Sequence, residues 1–391
     1  MSRFSFVGRL PASKSILNRL LLVKSYFPDL EIRGDSSCDD VRVMKEAIKS
    51  LHSGQVIPVG SAGTVLRFMA LRASRVPGVH RLQGHHRLFE RPHAELLKIL
   101  RQLGVEARLG PDFMEIEGAG WRMYGDTLLV PVDRSSQFVT SVLLNAWDLP
   151  NELFVSVGGQ KVSEGYWRMS VRLAQSLGMK IDFWDSDFRV ASRQKPNVKT
   201  VDTEPDLSSA FALAAVATVS GSARFLDFPE NSLQPDVAFV NILKSMGVPV
   251  RQSGTALIVE QASRLNGVAV NLRQSPDLFP VLAVLCAMAE GTSDLYGAPH
   301  LIHKESNRLL RIVELLRALG REVELKEDGI VLRGEPIKPS ASTLTFNCDF
   351  DHRLAFAAAV LKAADFAIQI QHPEVVKKSF PEFWSILGWT I

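Results

Sequence analysis

One pattern recurs along the whole chain. A small polar or acidic stretch opens an apolar run of helical character. A second, amphipathic helix follows and in most copies ends in Leu-Gly or Met-Gly, after which alternating residues begin. Such internal repetition fixes an architecture before any single residue does. The openings are Ser13-Lys14-Ser15, Ser61-Ala62-Gly63-Thr64, Ser135-Ser136-Gln137, Asp206-Leu207-Ser208-Ser209, Ser275-Pro276-Asp277 and Asp349-Phe350-Asp351-His352. The closures carry Gly104, Gly178, Gly247, Gly320 and Gly388, successive positions 68 to 74 residues apart, and the first copy ends earlier, near Leu51-His52-Ser53-Gly54.

Each opening supplies Ser, Asp or Thr where a helix needs an N-cap, and each closing Gly suits the left-handed residue after a helix. The first helices are apolar nearly all round, as in Phe211-Ala212-Leu213-Ala214-Ala215-Val216, and must be buried. The second helices, such as Glu305 to Leu319, have one apolar face and should lie outside. Val105-Glu106-Ala107 and Arg321-Glu322-Val323-Glu324-Leu325 alternate as strands do. The reading is therefore an α/β (α+β) protein of six units, each with two helices and several strands, three units to a domain.

A chain of 391 residues exceeds one ordinary hydrophobic core, and 46% hydrophobic against 22% charged residues is a well-buried globular composition. The formal net charge of +3 does not mark a nucleic-acid or membrane binder and is compatible with a monomer. Cys38, Cys286 and Cys348 are isolated, which argues against a disulfide scaffold or thiolate metal site and for a reducing, cytoplasmic compartment. Met1 to Leu10 lacks the apolar core of a signal peptide, and no apolar run reaches the roughly 18 residues that span a bilayer.

Against that near-neutral background, charges gather where units open. Lys14 and Arg19 fall on the first helix, Arg67 follows Ser61 by six residues, and Arg91 lies in Glu90-Arg91-Pro92. Lys304, Arg308, Arg353 and Lys378 come later, with Asp40, Asp206, Asp277, Glu305 and His352 among them. Arginine binds phosphate or carboxylate as a fork and lysine as a mobile point charge. Five or more such cations at helix starts could hold two anionic substrates, and Asp277 and Glu305 could transfer protons. Any one of these is more often a solvated charge or a cap; recurrence at equivalent points is what argues otherwise.

At these residues the chain resembles the EPSP synthase family of enolpyruvyl transferases. Leu10-Pro11-Ala12-Ser13-Lys14-Ser15-Ile16-Leu17-Asn18-Arg19, Asp39-Asp40-Val41-Arg42, Ser61-Ala62-Gly63-Thr64 with Arg67, Glu90-Arg91-Pro92 and Ser135-Ser136-Gln137-Phe138 are similar to its motifs in order. So are Asp206-Leu207-Ser208-Ser209-Ala210, Pro276-Asp277, Lys304-Glu305-Ser306-Asn307-Arg308, Asp351-His352-Arg353 and Lys378-Ser379-Phe380-Pro381. The resemblance implies two similar domains, each of three βαβαββ units around buried helices (an inside-out α/β barrel), closing on the substrates. One domain would span 13–203; the other, discontinuous, 1–12 and 204–391.

The resemblance also implies a reaction: transfer of the enolpyruvyl group of phosphoenolpyruvate to the 5-hydroxyl of shikimate 3-phosphate, releasing phosphate, in aromatic amino-acid biosynthesis, with glyphosate as an inhibitor. Asp277, Glu305 and Lys14 would be catalytic. Lys14, Gly63, Arg91, Gln137, Arg308, Arg353 and Lys378 would bind phosphoenolpyruvate. Ser15, Arg19, Ser135, Ser136, Gln137, Ser163, Tyr166, Asp277 and Lys304 would bind shikimate 3-phosphate. No metal and no cofactor is expected. The chain departs from the family pattern at Ala12, Ser61, Glu164, His300 and Asn307, with Glu164 expected to point outward. Transfer onto UDP-N-acetylglucosamine is disfavoured because Gly84 to Pro92 lacks a cysteine. A non-catalytic or altered-acceptor homologue is the remaining alternative; a dead site should have lost Lys14, Asp277, Glu305 or Arg353.

Overall fold

The computed structural model describes residues 3–159, 162–336 and 343–389. The chain divides into two compact units, Lys14–Thr203 and the discontinuous pair Met1–Ser13 with Glu204–Ile391. The division falls after Ser13, whose N–H donates to the Glu204 carbonyl at 2.8 Å, while Asp206 N–H donates to the Pro11 carbonyl at 2.9 Å. The N-terminal strand Phe4–Gly8 pairs in parallel with Gly221–Phe225, which assigns it to the later half of the chain.

In the unit Lys14–Thr203, three helices pack on one another: Lys14–Lys24, Gly63–Ala73 and Gln137–Asn145. All of Gly63–Ala73 except Thr64 is buried, which is why its sequence has no polar stripe. One four-stranded sheet runs in the order Ile57–Gly60, Gly78–Gly84, Phe113–Gly118, Glu106–Leu109. A second runs Thr127–Pro131, Leu153–Gly158, Asp187–Val190, Ile181–Trp184. In both, the first pair is parallel and the rest antiparallel. Strands such as Leu153–Gly158 alternate buried and accessible residues, so each sheet turns one face to the helices.

The other unit repeats this plan. Helices Leu207–Ser220, Phe279–Ala287 and His352–Ala363 pack together, and every residue of Phe279–Ala287 is buried. Its sheets run Phe4–Gly8, Gly221–Phe225, Ala256–Glu260, Val250–Ser253 and Ala269–Asn271, Gly291–Tyr296, Gly329–Gly334, Val323–Lys326.

Two expectations need correction. The six copies are not equal: the third sheet of each unit has two parallel strands, Glu31–Arg33 with Thr200–Asp202 and Leu344–Asn347 with Ile368–Gln371. Nor are all buried helices capped by their opening residues. Asp206 accepts from Ser209 N–H at 2.8 Å and Asp351 from Arg353 N–H at 3.0 Å, but Gly63–Ala73 and Gln137–Asn145 start without a side-chain cap. The closing glycines do turn left-handed, with φ of 71° at Gly104 and 99° at Gly178. A Cβ on Gly104 would lie 2.6 Å from the Arg122 carbonyl oxygen, so that closure excludes a side chain on space as well as on conformation. Among the described residues no helix is long and apolar enough to cross a membrane.

Candidate active site

In the unit containing Glu204–Ile391, the centre is a buried arginine. Arg308 opens the helix Arg308–Ala318, whose cap is Asn307, accepting from Leu310 N–H at 3.0 Å. The Arg308 side chain is 1% exposed. Its Nε donates to Asp351 Oδ2 at 2.7 Å, Nη1 to Asp277 Oδ1 at 2.9 Å, and Nη2 to Glu305 Oε2 at 2.9 Å and Asp351 Oδ1 at 3.2 Å. A charge this deep is costly unless partners meet it, and here three carboxylates do. Arg353, the second residue of the helix His352–Ala363, reaches the other Asp277 oxygen at 2.7 Å and Ser208 Oγ at 3.3 Å. Asp277 itself sits in the 3-10 turn Pro276–Leu278 ahead of Phe279–Ala287.

The electrostatics follow. Burial alone would raise the Asp277 carboxyl; Arg353, then Arg308 and Lys304, outweigh it and hold the group far below the usual carboxylate range. Burial would lower Arg308, but Asp351, Glu305 and Asp277 together keep it raised. His300 lies buried beside them, and burial, with Lys304 adding to it, drives the ring down to about 2, so it is neutral at neutral pH. Lys378 closes the 3-10 helix Pro373–Lys378 and is 7% exposed; Lys304 is half-buried.

The unit Lys14–Thr203 carries a different set. Lys14 Nζ meets Asp40 Oδ2 at 2.9 Å, which joins the start of the first helix to the start of Asp39–Ser50. Gly63, the first residue of its helix, faces two guanidiniums: an added Cβ would come within 2.9 Å of Arg91 Nη1 and 3.1 Å of Arg67 Nη1. Gln137 ties this wall together, accepting from Arg67 Nη1 at 2.5 Å and donating to Thr64 Oγ1 at 2.9 Å, while its own N–H donates to Ser135 Oγ at 3.2 Å. Arg67 also lies over the Phe138 ring, 5.1 Å from its centroid.

Arg19 is buried among hydrogen-bond acceptors of the same unit. It donates to Ser15 O at 2.7 Å, Ser170 Oγ at 2.7 Å and Tyr166 O at 3.2 Å. Burial pulls its guanidinium down to about 10. Ser163 is left-handed at φ 51° and precedes the helix Glu164–Ser176 without capping it. Glu164 is half-buried rather than outward, and Arg168 Nε donates to it at 2.8 Å, which offsets the extra negative charge.

Lys14, Gly63, Arg91 and Gln137 therefore gather within one unit, with Arg19, Ser15, Ser135, Ser136, Ser163 and Tyr166, and Asp277, Lys304, Glu305, Arg308, Arg353 and Lys378 belong to the other. Residues given no individual substrate role in the sequence complete both sets. Arg67 follows Gly63 by four residues, one turn on the same helix face, and that spacing was the available signal. Asp351, fully buried, is the acid that fixes Arg308, and in sequence it reads only as a cap.

Two units of one build, each with three buried helices and with arginines and lysines at the helix starts, define the fold class of the enolpyruvyl transferases. Among solved structures, EPSP synthase from Acinetobacter baumannii is similar with a TM-score of 0.75 over 99% of this chain and 95% of that one at 20% identity. The enolpyruvyl transferase NikO from Streptomyces tendae is similar with a TM-score of 0.72, covering 99% and 95%, at 15% identity. Residues 29–387 match the family described as EPSP synthase (3-phosphoshikimate 1-carboxyvinyltransferase). Relatives bearing the name 3-phosphoshikimate 1-carboxyvinyltransferase include that of Methanocaldococcus jannaschii, 33% identical over 339 residues, 85% of this chain and 78% of that protein. That of Methanothermobacter thermautotrophicus is 34% identical over 332 residues, 84% and 77%; that of Halobacterium salinarum is 29% identical over 420 residues, 99% and 96%. The chain belongs to the EPSP synthase family and is a transferase.

Proposed function

We propose that this protein transfers the enolpyruvyl group of phosphoenolpyruvate to the 5-hydroxyl of shikimate 3-phosphate and releases inorganic phosphate. Family membership supports the reaction. The observation that carries the assignment of residues is the Asp277–Arg308–Glu305–Arg353 cluster, in which two carboxylates share arginines that an anionic substrate can compete for.

The chemistry is addition followed by elimination. The methylene carbon of phosphoenolpyruvate gains a proton while the acceptor oxygen bonds to its neighbouring carbon and loses its own proton. The methyl group of the resulting tetrahedral adduct then gives up a proton as the carbon–oxygen bond to phosphate breaks. Protons and a phosphate leaving group are all that move, so the balance needs no electron carrier. Glu305 and Lys14 serve the proton at carbon, and Asp277 the proton at oxygen.

Asp277 as it stands is a weak base, because Arg353 and Arg308 stabilise its anion. Phosphoenolpyruvate brings a carboxylate and a phosphate. As these engage the guanidiniums, their hold on Asp277 weakens and its basicity rises when the acceptor is present. Arg308, Arg353 and Lys378, and Lys14, Gly63, Arg91 and Gln137, are the residues assigned to phosphoenolpyruvate. Ser15, Arg19, Ser135, Ser136, Gln137, Ser163 and Tyr166 hold shikimate 3-phosphate, with Asp277 and Lys304 on its hydroxyls. A monomer in the cytoplasm suits these small, soluble substrates.

The test is phosphate release with phosphoenolpyruvate and shikimate 3-phosphate. Release that requires both is the expected result. Release with UDP-N-acetylglucosamine in place of shikimate 3-phosphate, and none with the latter, would overturn the acceptor. No release with either would overturn the activity.

A further inference from the structure

The parallel strands Leu344–Asn347 and Ile368–Gln371 end side by side, Asn347 opposite Gln371. Each feeds a site residue through a short connection: the first leads to Arg353 in His352–Ala363, the second to Lys378 at the end of Pro373–Lys378. The carboxyl ends of parallel strands are where α/β folds place ligands, and two short loops must be held in register there. These two loops are held by an unusual contact. Phe350 stacks on His372, ring centroids 4.7 Å apart and planes 27° from parallel. Both residues, and Asp349 before Phe350, have left-handed backbones, with φ of 58°, 57° and 47°. Phenylalanine is a poor choice for that conformation, where glycine or asparagine is comfortable. Its ring is also half exposed, so burial does not explain it. An unfavourable backbone kept in both partners of one stack is a sign that the stack has a use.

We infer that Phe350 and His372 are positioning residues, a stacked clasp that sets the spacing of Arg353 and Lys378 for their shared anion. The inference rests on the assignment of both cations to phosphoenolpyruvate. Beside the ring, Glu374 Oε1 lies 3.5 Å from His372 Nδ1 and steadies its tilt.

Steady-state kinetics and thermal unfolding of Phe350→Gly, His372→Gly and the double variant test it. Glycine relieves the backbone while removing the ring, so a structural role alone predicts equal or higher stability and unchanged kinetics. The expected result is a KM for phosphoenolpyruvate raised about fivefold, the scale of one lost aromatic pair. The KM for shikimate 3-phosphate and kcat should stay near wild type. The double variant should be no worse than either single, because both remove one contact. His372→Tyr, which keeps a ring, should restore the KM. If glycine unfolds the loops, Phe350→Asn and His372→Asn replace them, since asparagine also tolerates this backbone. An unchanged KM for phosphoenolpyruvate in stable ring-deleted variants, or additive effects, overturns the clasp. Calorimetric titration with phosphoenolpyruvate separates the two levels. A wild type that binds it without turnover overturns the activity but leaves the clasp to be judged by affinity. A wild type that does not bind it overturns both.

Discussion

The two units answer the same problem, how to keep arginines in a protein interior, in opposite ways. In the unit completed by Glu204–Ile391, Arg308 and Arg353 are met by carboxylates: Asp351, Asp277 and Glu305. In Lys14–Thr203, the amide of Gln137 meets Arg67, and Arg19 donates to a hydroxyl and two backbone carbonyls. A carboxylate holds the guanidinium with a full counter-charge, whereas an amide, hydroxyl or carbonyl holds it by a hydrogen bond to a neutral dipole. The first arrangement suits proton transfer, and the second suits the holding of anions. For these four arginines the two copies of one fold thus differ in the groups that hold them.

Stability should break along this line first. Replacing Arg308 with Ala strands Asp351, fully buried, without its guanidinium, and breaking a buried pair costs about 3–5 kcal/mol. Arg67→Ala leaves the Gln137 amide oxygen without its guanidinium and should cost about 1–3 kcal/mol. Urea unfolding of the two variants checks the order; equal losses would erase the distinction. Turnover gives the next largest effect. Asp277→Ala and Glu305→Ala should each lower kcat by about two orders of magnitude or more, the scale of a general acid or base. Gln137→Ala, which removes a dipole, should act mainly on KM. Retained turnover in the carboxylate variants would contradict the proton roles.

The contrast was only half legible in the sequence. Six polar openings before apolar helices, and glycines recurring about every 70 residues, specify the two-unit plan because helix burial and left-handed closure are local requirements. Some cations were legible for the same reason, since Lys14 and Arg353 stand at openings. Their partners were not. Asp351 reads as a cap and is also the acid beneath Arg308; Gln137 reads as a binding residue and is also the tie between Arg67 and Thr64. Those second roles depend on which helices pack together, and no periodicity encodes that. The unequal third sheet was hidden likewise, because Glu31–Arg33 pairs with Thr200–Asp202 far along the chain.

One feature is common to both units. Burial drives His93 down to about 4 beside Arg67 and Arg91, and His300 down to about 2 beside Lys304. Both are neutral when folded and take a proton more readily when unfolded, near pH 6.5. Their contribution is complete above that value and declines as pH falls, by about 1.4 kcal/mol per pH unit for each histidine until its folded value is reached. Urea midpoints measured from pH 7 to pH 5 should fall less steeply in His93→Asn and His300→Asn than in wild type. Slopes that match wild type would remove the histidines from the account. Gly63→Ala acts in one unit alone. Its methyl group would come closer than van der Waals contact to Arg91 Nη1 (2.9 Å) and Arg67 Nη1 (3.1 Å) and must displace them, so the KM for phosphoenolpyruvate should rise about tenfold, with weaker inhibition by glyphosate. Unchanged kinetics and inhibition would sink the placement of that pocket wall.

The smallest effect tests whether the acid-laced cluster depends on its helix start or only on its charges. Asn307 lies one residue before Arg308, and its side chain accepts from Leu310 N–H. A cap needs an acceptor, not a charge, so Asn307→Asp should leave stability within a few tenths of a kcal/mol. Asn307→Ala removes the acceptor and should cost about 1 kcal/mol. Because Arg308 is the next residue, fraying of that first turn would also loosen its grip on Asp277 and Glu305. A kcat that falls with Asn307→Ala and recovers with Asn307→Asp would make the cap part of the charge arrangement. An unchanged kcat at reduced stability would leave the three carboxylates sufficient to hold Arg308 by themselves.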